Sequence, residues 1–119
     1  MNQRGQHAET CARQFLERSG LTTVMPNYRC KMGEIDLVMR APNTLIIVEV
    51  RLRRPSRFGG AAASVSTAKQ RKIIKTTQHF LQQFPMYASD RCRFDIVAYD
   101  GPSAMGLTPT WIQGAFTAT

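Results

Sequence analysis

The chain has 119 residues, 43% of them hydrophobic, and sixteen Lys and Arg stand against eight Asp and Glu for a net charge of +8. That length and apolar content exclude a disordered polyelectrolyte and predict one domain, 1–119, able to bury a core without disulfides or a structural metal. So basic a balance, carried mostly by Arg, favours a polyanionic partner, because the guanidinium forks onto phosphate; the plain alternative is a basic protein with no nucleic-acid role.

In chain order, residues 7–19 predict a helix. Ala8, Cys11, Ala12, Phe15 and Leu16 recur at helical spacing and form one apolar stripe, and Gly20 stops it. Residues 21–29 lean towards a strand that Pro26 and Asn27 interrupt. GEIDLVMRA at 33–41 alternates as a half-buried strand, with Ile35, Leu37 and Met39 on one face and Glu34, Asp36 and Val38 on the other. After a Pro42-Asn43 turn, TLIIVEVR at 44–51 is apolar on both faces, the signature of a central strand. Residues 52–64 read as an Arg-rich loop broken by Pro55, Gly59 and Gly60.

A second helix is expected over 65–84, capped by Ser64 or Ser66 and burying Ile73, Ile74, Thr77, Phe80, Leu81 and Phe84. RCRFDIVAYD at 91–100 alternates again, Cys92, Phe94, Ile96 and Ala98 opposing Arg93, Asp95, Val97 and Tyr99, and Trp111-Ile112 starts a short last strand. The order is a helix, three strands, a helix, then one or two strands. That predicts an α/β domain with a mixed central sheet flanked by helices.

Three cysteines with no C-x-x-C spacing argue against a disulfide framework or zinc site, and Cys11 and Cys92 read as small core residues. A reducing compartment, the cytoplasm, is expected. The polar opening MNQRGQHAET has no signal-peptide core, and LIIV is far too short to span a membrane.

The chemistry centres on Asp36 and Glu49, carboxylates embedded in apolar strands. A buried carboxylate is costly unless it is neutral, paired or bound to a cation. Strands joined by a short turn pair, so the two can meet, as Mg²⁺ or Mn²⁺ ligands do. The competing reading is a structural ion pair, Asp36 with Arg51 or Glu49 with Arg93. Arg51, two residues beyond Glu49 on the same face, is either a cation beside a scissile phosphate or such a partner. Glu9 by itself reads as a solvent-facing residue favoured by the helix dipole. Between Arg51 and Lys75 eight basic residues occur with no acidic one. This favours a phosphate-tracking surface of Arg53, Arg54, Arg57, Lys69, Lys72 and Lys75 over a solvated face. His79 reads as a surface residue and Asp95 as a structural one paired to Arg in the sheet.

GEIDLVMR, LIIVEVRLRR, FGGAAASVSTAKQRKI and RFDIVAYD, with GQHAETCARQFL before them, resemble the YraN-like family of bacterial proteins over 5–116. That family is in turn similar to the PD-(D/E)xK nucleases, especially archaeal Holliday-junction resolvases. The resemblance implies a restriction-endonuclease-like domain and a metal-dependent endonuclease acting on DNA. It places Glu9, Asp36 and Glu49 at the metal and Asp36, Glu49 and Arg51 in catalysis, with a homodimer as the form suited to paired cuts. Arg51 departs from the expected Lys. Arg stabilises charge but does not give up its proton, so either metal-bound water supplies the nucleophile or a lysine of the second helix, Lys69 or Lys72, reaches the site. A non-catalytic nucleic-acid-binding module and a basic protein-interaction domain are the alternatives.

Overall fold

A computed structural model describes residues 3–53, 65–101, 104 and 107–118. Helix α1, Gln3–Arg18, begins five residues before its apolar stripe, since residues such as Gln and Arg extend a helix at little cost. It ends where Gly20 takes φ +102 and the Leu21 N–H turns back to the Leu16 carbonyl.

Strand β1, Thr22–Cys30, runs through Pro26 and Asn27 rather than stopping at them. It is an edge strand, where a missing N–H costs nothing outward, and Asn27 adopts a left-handed φ of 54. The turn Lys31–Met32 leads into β2, Gly33–Ala41, and the turn at Pro42-Asn43 into β3, Thr44–Arg53. β3 thus includes Leu52 and Arg53, two residues assigned to loop by sequence.

Helix α2, Thr67–Gln83, starts two residues later than expected, because Ser66 caps it by accepting the Lys69 N–H. A 3-10 turn, Pro85–Tyr87, follows, then β4, Arg91–Asp100, and β5, Thr110–Phe116.

The sheet order is β1-β2-β3-β4-β5, antiparallel except for the parallel pair β3 and β4. A parallel pair requires a crossover, and α2 supplies it. The result is the expected α/β architecture, a mixed sheet with a helix on each face. Ala8, Ala12 and Leu16 of α1 pack on Leu37, Met39, Ile46, Val48, Val97 and Tyr99. Ile73 and Phe80 of α2 pack on Ile35, Val38, Leu45, Ile47, Phe94 and Ile96.

β2 corrects the simple alternation. Residues 35–39 are all buried, so the strand is covered on both faces. Ile35 shares the α2 side with Val38, while Leu37 and Met39 face α1. The side-chain alternation therefore slips by one residue at Asp36. Left-handed Asn27 sits across from it, between the pairs Pro26↔Leu37 and Tyr28↔Ile35. The β2–β3 ladder reaches only Leu37↔Val48, one position short of Asp36 and Glu49.

Smaller corrections follow from burial. Cys92 is exposed rather than in the core, and Cys11, Cys30 and Cys92 are free thiols. His79 is half-buried, its Nδ1 hydrogen-bonded to the Tyr28 hydroxyl. Among the described residues, no helix is long and apolar enough to cross a membrane.

Candidate active site

Three elements bring carboxylates to the end of the β2–β3 ladder. Glu9, Asp36 and Glu49 are 6%, 8% and 5% exposed. Glu9 follows Ala8 on the packed side of α1, which places it inside rather than in solvent. Asp36 occupies the slip in β2, where its Oδ2 accepts the Val50 N–H at 2.8 Å. That bond takes the place of a ladder contact and ties the opened strands together. Glu49 follows four apolar residues in β3, and the register continued by one position sets it against Asp36.

Two cations meet this group at one oxygen. Arg51 Nη1 and Lys69 Nζ each stand 3.6 Å from Glu49 Oε1. Arg51 arrives there because residues two apart on a strand share a face. Lys69 arrives from the first turn of α2. Sequence assigned Lys69 to the outer phosphate surface or, alternatively, to this site; the structure puts it here. Arg93, an alternative partner for Glu49, instead forks onto Asp95 through Nε and Nη2, both at 2.9 Å. Asp95 also accepts from Trp111 Nε1 and the Gly114 N–H, so it is the structural residue expected.

The electrostatics follow from crowding acids in a dry place. Burial, then the charge of Asp36, pushes Glu9 up to about 8. The same two causes, in that order, push Glu49 up to about 8 against the opposing pull of Lys69 and Arg51. Burial also raises Asp36, with the Val50 N–H restraining it. Near neutral pH, therefore, the group retains protons that a cation would displace.

Both oxygens of Glu9 are buried without a hydrogen-bond partner among the described residues. A buried polar atom left so is costly, and hard oxygen donors of this kind suit Mg²⁺ or Mn²⁺. Among the described residues no three Asp, Glu, His or Cys side chains form a ready cage for an ion. The donor set thus fits a cation held by one or two carboxylates, with the rest of its shell drawn from water and phosphate, as Mg²⁺ commonly is.

The remaining basic residues spread out. Arg53 Nε pairs with Asp100 Oδ1 at 3.0 Å. Lys72 and Lys75 lie exposed on α2, and Arg54 and Arg57 fall outside the described residues. Sequence reasoning passed over Glu34, whose charge acts on both Glu9 and Asp36. Its position two residues before Asp36 was the available signal.

A family model described as "Uncharacterised protein family UPF0102" matches residues 8–99, a span holding Glu9, Asp36, Glu49, Arg51 and Lys69. The chain belongs to this family. It is similar to the UPF0102 protein of Methylobacillus flagellatus, 47% identical over 118 residues that cover 99% of this chain and 100% of that protein. The UPF0102 protein of Aeromonas hydrophila subsp. hydrophila is 47% identical over 114 residues, 95% of this chain and 84% of that one. That of Pseudomonas savastanoi pv. phaseolicola is 46% identical over 114 residues, 96% and 93% of the two chains.

Proposed function

We propose that this UPF0102 protein is a metal-dependent endonuclease that cleaves DNA phosphodiester bonds. The observation that carries the reading is the buried Asp36–Glu49 pair, with Lys69 and Arg51 converging on the same Glu49 oxygen. The resemblance to PD-(D/E)xK nucleases supports it, since it pairs carboxylates on adjacent strands with a nearby lysine.

Asp36 and Glu49, assisted by Glu9, would hold Mg²⁺ or Mn²⁺. When bound, the ion supplies Lewis acidity and lowers the pKa of water. Arg51 stabilises negative charge growing on the phosphate, and does so without proton exchange. Lys69 restores what Arg51 lacks, a primary amine at Nζ able to accept or return a proton beside Glu49. Lys72 and Lys75, with Arg54 and Arg57, hold the DNA backbone without reading sequence, while Arg53 is engaged by Asp100.

The same ion pairs favour a second reading. Arg51 and Lys69 together neutralise Glu49, and a site satisfied that way binds nucleic acid without cutting it. Calorimetric titration of Mn²⁺ into the wild type and the Asp36→Asn/Glu49→Gln variant, with DNA cleavage run on the same preparations, separates the two. Metal binding and cleavage by the wild type alone are expected. A wild type that binds no metal, with or without DNA, overturns the nuclease reading in favour of the binding module.

A further inference from the structure

The hairpin joining β1 and β2 carries an apolar side chain at its tip, among cations. Lys31 and Met32 form the two-residue turn closed by the pair Cys30↔Gly33. Met32 is 41% exposed, and Lys31 beside it is exposed too. Arg29, also exposed, stands on the same hairpin and pairs with Glu34 at 3.2 Å.

The tip is seated against α2. A Cβ on Gly33 would lie 3.0 Å from Thr76 Oγ1 and 3.7 Å from Lys72 Cβ, and the backbone φ of +147 there favours glycine. The seat brings the stem of Lys72 alongside the hairpin. It also fixes Met32 relative to Lys69, one turn earlier on the same helix.

We propose that Met32 is a wedge that enters the base stack of duplex DNA at an unstacked step. It directs the protein to duplexes interrupted by a gap or nick. The inference rests on the nuclease reading and deepens it by naming the form of DNA preferred. A long apolar side chain is suited to enter between bases, while Lys31, Arg29 and Lys72 hold phosphates on either side. Unstacking an intact step is costly, so a step already open is favoured. Four residues of strand separate Met32 from Asp36, roughly 13 Å at about 3.3 Å per residue.

The test uses the full chain and two DNAs of the same sequence, one continuous and one gapped. Each carries 2-aminopurine at the step flanking the gap. Anisotropy in Ca²⁺, which fills an oxygen-donor site without supporting rapid cleavage, reads affinity, and 2-aminopurine fluorescence reads unstacking. The wild type should bind the gapped duplex about tenfold more tightly and brighten the probe. Met32→Ala should bring that ratio towards one, and Met32→Leu should restore it. A ratio near one in the wild type, or one that survives Met32→Ala, overturns the wedge and leaves the nuclease reading standing. Failure to bind either DNA overturns the nuclease reading, and the wedge with it.

Discussion

At the residue scale, the protons on Glu9 and Glu49 are the most consequential property of the site. Their ordinary value is 4.5, and in the fold both stand at about 8. A group raised in this way contributes stability that is complete below about 4.5 and is lost as the pH rises through 8. The metal-free protein should therefore melt at a lower temperature at pH 8.5 than at pH 5, by at least about 4 °C. Glu49→Gln should shrink that difference and leave the part carried by Glu9, as a pH series of thermal melts will register. Metal binding of the kind proposed would have the opposite preference, since a cation competes with these protons. Mn²⁺ affinity should climb between about pH 6 and 9, with proton release scaling with buffer ionisation heat in calorimetry. Lys69 carries a sharper expectation. Lys69→Met should slow cleavage about a hundredfold or more. Lys69→Arg should keep the charge and fail to restore the rate, as single-turnover kinetics will show; full rescue by Arg would assign Lys69 to charge alone.

At the element scale, two local devices position the site. The cap on α2 fixes where its first turn begins, and so where Lys69 points. Ser66→Ala removes the acceptor for the Lys69 N–H and should cost about 1 kcal/mol by urea denaturation. The second device is the slip in β2. Ordinary pleating alternates faces at every residue, yet Ile35 and Leu37 lie on opposite sides of the sheet. The slip frees Asp36 from the ladder and lets it meet both Glu49 and the side from which Glu9 arrives. Gly33 holds the other end of this stretch against α2. With φ +147 and Thr76 Oγ1 at 3.0 Å from where a Cβ would stand, Gly33→Ala should destabilise the chain by about 1–3 kcal/mol. Chemical denaturation of that variant, compared with Met32→Ala, distinguishes a misplaced hairpin from a missing side chain.

At the scale of the whole molecule, one sheet separates two helices, and each contributes a single side chain to a group at the sheet's interior. Glu9 and Lys69 are sixty residues apart in sequence and approach from opposite layers. The exposed Lys72 and Lys75 extend the positive charge away from Lys69 along α2. If DNA follows that line, replacing either lysine by Ala should weaken binding uniformly across sequences. Each should also lower the slope of log affinity against log salt by about 1. An unchanged slope in both would remove them from the interface.

Periodicity and punctuation were enough to determine the elements, because local sterics and apolar spacing act within a few residues. The Ala8–Leu16 stripe, the doubly apolar β3, the alternating β4 and the Ser66 cap were all legible in this way. Asp36 and Glu49 also stood out, since a carboxylate inside an apolar strand is conspicuous in the sequence itself. What only the tertiary structure decided was everything that depends on layers meeting. Burial of Glu9, the slip at Asp36, the continuity of β1 through Pro26 and the turn of Lys69 inwards have no local signal. Each is settled by which face another element covers, and that contact is made between residues far apart along the chain.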